Sequence, residues 1–301
     1  MTTANLDATQ SQVQMRSRQQ RNGVGARLVG FWRKNEVVTL AGLFFGLVVF
    51  AAIFAPWVTP YDPVKIDIPS RLIAPSAEHW FGTDEFGRDL VARVIYGARP
   101  VLITGLFSVV SAMVIGTVIG TLAGYRGGWF DELLMRLMDI MLSFPAILLA
   151  ILIVAALGIG LTNTVIAVSF SMIPTFARLA RSLVLTLVHE QYVLASKSVG
   201  AGHSGILLRH ILPNLSPPLI VQATAMLAIA ISYGSALSFL GLGVEPPTPD
   251  WGLMVSEGQR LIFDAIWIPF FPGLALTLTV LSVNYLGDGL RDHLDPRLRN
   301  R

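Results

Sequence analysis

The chain has 301 residues, of which 53% are hydrophobic and only 14% are charged, and its mean hydropathy is +0.62. An average soluble domain carries about 25% charged residues, so this composition excludes a water-soluble globular protein and indicates a membrane protein. The formal net charge is +3, and the absence of cysteine excludes disulfides, zinc–thiolate sites and thiol nucleophiles.

A polar segment precedes six apolar runs. Residues 1–35 are rich in Gln, Ser, Thr and Arg, and we predict a disordered basic cytoplasmic tail there. Each apolar run is long enough to cross the hydrocarbon as a helix, and its unbroken apolar character excludes a β-barrel. The predicted spans are about Val37–Trp57, Val101–Gly124, Leu133–Leu157, Thr164–Leu185, Pro218–Leu240 and Ala265–Leu286. The predicted fold class is an all-α membrane protein with about six transmembrane helices.

Lysine and arginine set the predicted orientation. With the N terminus inside, 16 of the 22 basic residues lie on the cytoplasmic side and 6 lie outside. This bias predicts an N-in, C-in topology. The predicted divisions are the tail 1–35, a first helix with a periplasmic segment (36–100), a five-helix core (101–290) containing a cytoplasmic loop (186–217), and a cytoplasmic C-terminal tail (291–301).

The second predicted span carries Gly116, Gly120 and Gly124 at four-residue spacing. Such a stripe of small residues allows another helix to approach closely. We interpret it as helix packing within the bundle, with a subunit interface as the alternative.

Prolines and one carboxylate interrupt the later spans. Pro145, Pro174 and Pro272 fall inside the third, fourth and sixth spans, where they predict kinks. Asp139 lies in the third span, and an intramembrane carboxylate is by default a candidate for function. We favour a pairing with Arg136, three residues earlier on the same helix face.

The cytoplasmic loop 186–217 predicts a helical hairpin. Tyr192–Val199 has good helical composition and is followed by Gly200, a natural C-terminal breaker. Ile206–Leu212 predicts a second helical turn that ends at Pro213.

This loop resembles the "EAA" loop of binding-protein-dependent ABC importer permeases. The resemblance lies in the pair Ala195-Ser196, in Gly200 and in the run Ile211–Pro213, with Ser196 where the family has a second alanine and Leu194 where a charged residue is often found. It implies that the loop docks on the ATPase subunits. The implied coupling residues are Glu190, Tyr192, Ala195, Ser196, Lys197, Gly200, Ile211, Leu212 and Pro213.

A second segment resembles one branch of that family. Phe81–Asp89, followed by Tyr96–Arg99, resembles the "GTDxxGRD … YGAR" signature of the dipeptide, oligopeptide and nickel permeases, specifically their second subunit. Phe239–Gly243 and Gly287–Asp292 are similar to later motifs of that branch. The signature residues are Gly82, Thr83, Asp84, Gly87, Arg88 and Asp89. We interpret them as a charge-paired turn that anchors the second helix, rather than as substrate contacts.

The resemblance implies a type I importer permease in a bacterial inner membrane. The implied partners are a homologous permease, two ABC ATPases and an extracytoplasmic binding protein, with no nucleic acid. ATP and Mg²⁺ would belong to the ATPases, so we expect no catalytic residue, metal or cofactor in this chain. The implied cargo is di- or oligopeptides, with nickel, glutathione or opines as alternatives.

Four other functions are weaker alternatives. Gly200–Gly205 matches G-x-G-x-x-G, but a predicted helix precedes it where a dinucleotide fold needs a strand. Gly202–Gly205 matches a serine-protease motif, yet no histidine falls in a predicted span to act as base. No lysine follows a glycine, so no P-loop is present. A secondary carrier would need coupling charges in the spans, which are scarce.

Overall fold

The computed structural model describes residues 36–294. The predicted tail 1–35 and the end of the predicted C-terminal tail, 295–301, lie outside the described residues. Within residues 36–294 the only β-type pairing is a single bridge between Thr83 and Asp89. The described chain is otherwise helices and connecting loops, which confirms the all-α prediction.

The described part of the chain contains eleven α-helices, numbered in chain order. They are α1 (Glu36–Ile53), α2 (Ala55–Val58), α3 (Leu90–Arg126), α4 (Gly128–Leu142), α5 (Ala146–Leu157), α6 (Leu161–Leu187), α7 (Gln191–Ser198), α8 (His203–Ile206), α9 (Leu212–Phe239), α10 (Trp251–Gly258) and α11 (Trp267–Leu294). A π-helical turn, Leu207–Ile211, joins α8 to α9 without a break, and short 3₁₀ turns lie at Ile68–Ser70 and Gln259–Leu261.

Five of the described helical segments are long and apolar enough to cross a membrane: α1, α3, α6, the continuous α8–α9 segment and α11. The sixth candidate is the pair α4 and α5, which is bent by 91°. The prediction of about six spans is therefore confirmed.

The prediction of a continuous third helix over Leu133–Leu157 is wrong. Helix α4 ends at Leu142, and Pro145 caps the start of α5. Proline lacks a backbone N–H and disfavours helical conformation in the residue before it, so the chain turns there. With 12 residues, α5 is about 18 Å long, which is too short to cross the hydrocarbon alone. Pro174 and Pro272 lie inside α6 and α11.

Helix α3 is longer than the second predicted span, because it begins at Leu90 rather than near Val101. Its 37 residues make a helix of about 55 Å, well beyond a hydrocarbon core of about 30 Å. The carboxylate of Asp89 caps it by accepting a hydrogen bond from the backbone N–H of Ala92 at 2.8 Å.

The central contact of the bundle runs between α3 and α6. Gly116, Gly120 and Gly124 face α6, and a Cβ atom added at Gly120 would lie 2.1 Å from the carbonyl oxygen of Ala177. The two backbones therefore touch along this seam. The small-residue stripe is therefore buried by packing between two helices of this chain.

The outer helices complete the bundle. Helix α11 packs on α1, α9 and α10, and α1 also packs on α3. Helix α11 continues through Asp288 and Arg291 to Leu294. The predicted end of the sixth span, at Leu286, and the predicted start of the C-terminal tail, at residue 291, therefore both lie inside this helix. Polar residues such as Arg are good helix formers, and they extend the helix beyond the apolar run.

Candidate functional site

The loop between α6 and α9 forms the predicted hairpin. Helix α7 follows Glu190 and ends one residue before Val199. Gly200 takes φ +82°, and the N–H of Ala201 donates to the carbonyl of Ser196 at 3.0 Å. This is a left-handed C-terminal cap, which glycine adopts without the steric cost that other residues meet.

Apolar side chains fix the hairpin to the bundle. Val193, Ile206 and Ile211 are each at most 1% exposed. They belong to the same buried cluster as Phe176 and Val184 of α6. The hairpin therefore packs as an extension of the membrane bundle rather than as a separate unit.

Polar contacts tie α7 to the π turn and to the start of α9. The Ser196 hydroxyl lies 3.2 Å from Nε2 of His210, and the amide of Asn214 donates to the Tyr192 hydroxyl at 3.4 Å. The rings of Tyr192 and His210 are 6.0 Å apart. Sequence reasoning missed His210 and Asn214 because nothing in their local pattern marks them as partners of α7.

A second set of contacts ties the hairpin to the end of α3. The hydroxyl of Tyr125 lies 2.8 Å from Nδ1 of His203. Nζ of Lys197 lies 5.9 Å from the centre of the Tyr125 ring, within cation–π range. Tyr125 was not a predicted site residue, yet it links α3 to both arms of the hairpin.

The prediction that Pro213 ends a helix is wrong. The π turn Leu207–Ile211 runs directly into α9, and Pro213 is the second residue of that helix. The missing N–H of proline matters little in the first turn of a helix, where N–H groups lack intrahelical partners.

Three apolar side chains of the hairpin are exposed. Val199 is 84% exposed, Leu208 is 64% exposed and Leu194 is 46% exposed. Among the predicted coupling residues, Glu190, Tyr192, Ala195, Lys197, Gly200 and Pro213 are exposed, Ser196 and Leu212 are half-buried, and Ile211 is buried. We call Leu194, Val199 and Leu208 the hairpin face.

The signature segment before α3 is built around Asp84. One carboxylate oxygen accepts from the backbone N–H groups of Phe86 at 2.8 Å and Arg88 at 2.9 Å, and the other accepts from Nε of Arg88 at 2.6 Å. Nε of Arg93 lies 3.4 Å from the second oxygen. A carboxylate between two buried guanidinium groups fixes the turn to the first helical turns of α3.

Other members of the signature lock the same turn. Asp89 caps α3 and lies 2.9 Å from Nδ1 of His79. The Thr83 hydroxyl donates to the carbonyl of Ser70 at 2.5 Å. Gly87 has φ +73°, and a Cβ there would lie 1.7 Å from the carbonyl oxygen of Asp67. The signature thus holds the 59–89 segment against the helix.

The signature side chains have little surface to offer a substrate. Thr83, Asp84, Arg88 and Asp89 are each at most 5% exposed. This burial favours the structural interpretation of the segment. Sequence reasoning missed His79, Arg93 and Glu257, whose carboxylate lies 3.5 Å from Nη2 of Arg93.

Two carboxyl groups near α10 carry raised pKa values. Burial raises the pKa of Glu257, and the charges of Arg93 and Arg88 oppose that rise. Burial also raises the pKa of Asp250 to about 6, although its side chain accepts from the N–H groups of Gly252 at 2.9 Å and Leu253 at 3.2 Å. Asp250 thus caps α10 at the cost of placing a carboxyl in an apolar site.

A charged cleft separates α4 from α6. Asp131 receives two hydrogen bonds from Arg181, at 2.5 and 2.6 Å. Asp139 pairs with Arg178, so the predicted pairing with Arg136 is wrong. Arg136 instead lies 3.6 Å from Glu132, because a glutamate four residues before a basic residue is the better helical partner.

Comparison with known families decides what kind of protein carries this hairpin. Residues 116–300 match the family described as "binding-protein-dependent transport system inner membrane component". The chain belongs to this family. Residues 31–75 also match the N-terminal transmembrane domain of oligopeptide transport permease C. The family predicted from the loop and the signature is confirmed.

Curated relatives align along most of this inner membrane component. A di/tripeptide transport system permease protein, DppC, of Pseudomonas aeruginosa is 48% identical and covers 90% of this chain and 92% of the relative. A dipeptide transport system permease protein, DppC, of Alkalihalophilus pseudofirmus is 46% identical over 89% and 88%. A glutathione transport system permease protein, GsiD, of Escherichia coli is 45% identical over 89% and 90%.

A solved structure shares the fold of this inner membrane component. A chain of the MetNI methionine ABC transporter, in an inward-facing conformation, matches with a TM-score of 0.56 and 19% identity, covering 67% of this chain and 96% of that chain. At this identity the match shows the fold alone. It confirms the ABC importer permease architecture predicted from the sequence, and the family is one of transport components rather than enzymes.

Proposed function

We propose that this inner membrane component forms half of the translocation pathway of an ATP-driven peptide importer, with di- and tripeptides as its cargo. The observation that carries the proposal is the group of relatives at 45–48% identity that align over about nine-tenths of both chains. Their names give dipeptides, di/tripeptides and glutathione, which is itself a tripeptide. Nickel and opines are the remaining alternatives for this branch.

The hairpin face is the proposed docking surface for the ATPases. Two separate ABC ATPases would bind ATP and Mg²⁺, and this chain would bind neither. Val199 and Leu208 offer exposed apolar surface, while Val193 and Ile211 anchor the same hairpin in the core. A displacement of the hairpin is therefore passed directly to α6 and α9, which switches access to the pathway.

In the proposed assembly this chain lies beside a homologous permease, and an extracytoplasmic binding protein lies on the face opposite the hairpin. The charge distribution supports an N-in, C-in orientation in a bacterial inner membrane. The segment 59–89 and the loop around α10 would then lie on the binding-protein side.

Single cysteines test the docking surface and the orientation together. The chain contains no cysteine, so Val199→Cys and Phe263→Cys each introduce a unique thiol. Phe263 is 100% exposed and lies in the predicted outside loop, which makes it the matched control. A membrane-impermeant maleimide applied to intact spheroplasts should label Phe263→Cys, whereas Val199→Cys should react only after permeabilisation.

The same variants test the partner. With a short bifunctional crosslinker in native membranes, Val199→Cys should link to an ATPase subunit and Phe263→Cys should not. Labelling of Val199→Cys from outside, or the absence of any link to an ATPase, would overturn the proposed coupling role.

Uptake by the reconstituted importer tests the cargo. The full assembly with its binding protein, in proteoliposomes with ATP, should accumulate a labelled dipeptide. Unlabelled tripeptide should compete and Ni²⁺ should not. Competition by glutathione alone, with no effect of di- or other tripeptides, would select the glutathione alternative.

A further inference from the structure

An apolar groove lies between α1 and α3 on the surface of the bundle. Its volume is about 470 Å³, within the size range of small-ligand sites. A single charged side chain, Arg99, contributes to its lining, and every other lining residue is apolar. The apolar walls include Phe45, Val49 and Ile53 of α1, Leu102 and Leu106 of α3, and Leu227 of α9.

Arg99 stands at one end of this groove. Its Nε donates to the carbonyl of Ala52 at 2.6 Å and its Nη2 donates to the carbonyl of Ile53 at 3.3 Å. Both carbonyls belong to the last turn of α1. The guanidinium also lies 4.9 Å from the centre of the Tyr96 ring. A guanidinium carries more N–H donors than these contacts use, so the group can still bind another acceptor.

No carboxylate neutralises the charge of Arg99. Within residues 36–294, no Asp or Glu oxygen lies within 4.0 Å of its guanidinium nitrogens. Arg93, two turns earlier on the same helix, is by contrast paired with Asp84 and Glu257. Arg99 is half-buried, and a charge among apolar side chains is costly unless it has a partner. The groove therefore favours an occupant that brings an anion to this end.

The charge pattern of α3 places Arg99 at the level of the lipid headgroups. No Asp, Glu, Lys or Arg occurs between Arg99 and Arg126. This stretch of about 27 residues spans about 40 Å of helix, which matches a bilayer of about 40–45 Å with its headgroup regions included. Trp57, which follows α1, is 79% exposed, as expected for a tryptophan at the membrane–water interface.

The groove is about as long as one leaflet is deep. It extends from Arg99 to Phe107 along α3 and from Phe45 to Ile53 along α1, which is about 12 Å on each helix. The contacts of Arg99 bring the Ile53 end of α1 to the Arg99 end of the groove, so Phe45 and Phe107 lie at the opposite end. Half of the hydrocarbon core measures about 15 Å. The groove thus leads from the headgroup level toward the middle of the bilayer.

We propose that this groove binds an anionic phospholipid, with one acyl chain between α1 and α3 and the phosphate paired with Arg99. In the proposed orientation the lipid belongs to the leaflet on the binding-protein side. The bound chain covers Ile53 and Leu106, which are 61% and 53% exposed. Because Arg99 holds the end of α1 and the phosphate together, the lipid fastens α1 to α3.

Native mass spectrometry tests the site directly. The permease pair with its ATPases is purified in detergent with equal amounts of phosphatidylglycerol, which is anionic, and phosphatidylcholine, which is zwitterionic, and the lipids that stay bound are counted. We expect the unmodified complex to retain phosphatidylglycerol. Arg99→Gln should weaken that retention by about fivefold, the factor expected for one basic side chain near an anionic headgroup. Arg99→Lys keeps the charge and should keep the preference for phosphatidylglycerol.

Two further variants separate lipid binding from the capping of α1. Leu106→Trp fills the groove and should displace the lipid although Arg99 is intact, and it tests the site even if Arg99→Gln does not assemble. Arg260→Gln removes an exposed outer pair with Glu85, at 3.4 Å, and should leave retention unchanged. If Arg99→Gln and Leu106→Trp retain as much phosphatidylglycerol as the unmodified complex, Arg99 only caps α1 and the lipid site is wrong.

Crosslinking distinguishes a lipid from a helix of the homologous permease as the occupant. Phosphatidylglycerol with a photoreactive diazirine in its acyl chain should label the groove segments 45–53 and 99–107. Ile103→Cys, with a short bifunctional crosslinker in native membranes, should form no link to the homologous permease. Such a link without lipid labelling would overturn the proposal. The importer assignment would then still stand, because uptake and maleimide labelling measure it separately.

Discussion

Replacing Gly120 by alanine tests whether α3 and α6 meet backbone to backbone. The new Cβ would lie 2.1 Å from the carbonyl oxygen of Ala177 and 2.9 Å from Cβ of Ala180. Ordinary contact begins at 3.4 Å, so the helices would have to separate by 3.4 − 2.1 = 1.3 Å at this level. A carbonyl oxygen held in a helix cannot rotate away, so the bundle itself must give.

The expected free-energy change is the balance of two effects. Alanine gains up to about 1 kcal/mol over glycine in a helix. Overpacking costs about 1–3 kcal/mol, and a gap of about 1 Å forfeits a quarter to a half of the dispersion energy along the seam. With both penalties, we expect a net loss of about 2 kcal/mol. For a domain of this size that lowers the melting temperature by about 4–8 °C.

Thermal unfolding of the purified permease pair in one detergent measures the difference. Gly46→Ala is the matched control, because Gly46 is inside α1 and a Cβ atom added there would have no neighbouring atom within 4 Å. That variant should melt at or above the unmodified protein. If Gly120→Ala melts as high as Gly46→Ala, α3 and α6 are not in contact at this level.

Three further predictions concern the cap of α10, the hairpin and the signature. The folded pKa of Asp250 is about 6 and exceeds the ordinary value of 3.8, so the free energy of unfolding is greatest below pH 4 and falls as the pH rises toward 6. The stability of Asp250→Asn relative to the unmodified protein should therefore rise by about 1 kcal/mol between pH 5 and pH 7. A difference in melting temperature that does not change with pH would contradict this. Gly200→Glu adds a Cβ atom with no atom within 4 Å but strains the φ +82° cap at the end of α7; the variant should still assemble but should hydrolyse ATP without uptake. Gly200→Asn, which tolerates positive φ, should keep both, and normal uptake by Gly200→Glu would disprove the coupling role. Asp84→Asn strips a buried charge from Arg88 and should cost about 3 kcal/mol, against at most about 1 kcal/mol for the exposed Arg260→Gln; equal melting temperatures would show that the signature network is not structural.

Apolar run length was enough to predict where the chain crosses the membrane, but not where helices begin and end. Helix α3 starts at Leu90 because Arg93 finds partners in Asp84 and Glu257. Glu257 is 164 residues away in sequence, and no local pattern reveals that contact. Without it, an arginine near the start of an apolar run argues for a loop.

The prolines marked where the backbone changes, but they did not show whether a helix ends or begins there. Pro145 and Pro213 both occur in apolar surroundings, yet one ends a helix with a 91° bend and the other lies within the first turn of a new helix. The difference depends on position within the helix, which is set by tertiary packing. The partner of Asp139 was missed for the same reason, since Arg178 lies on another helix, 39 residues later.

The hairpin was predictable as a shape because its glycine cap and helical composition are local. Its attachment was not. Val193 and Ile211 point inward because α3, α4, α5, α6 and α9 supply most of the buried cluster. Tyr125 meets His203, and Ser196 meets His210, only once the two ends of the loop return to the bundle.

The prolines of α9 give the two ends of the hairpin unequal stiffness. Pro213, Pro217 and Pro218 lie in its first two turns, and Pro217 and Pro218 each remove one backbone donor from the ladder. Helix α6 has a single proline, Pro174, thirteen residues before its end at Leu187. Under the proposed coupling role, a push on the hairpin would be transmitted mainly by α6, while the base of α9 would bend and act as the pivot.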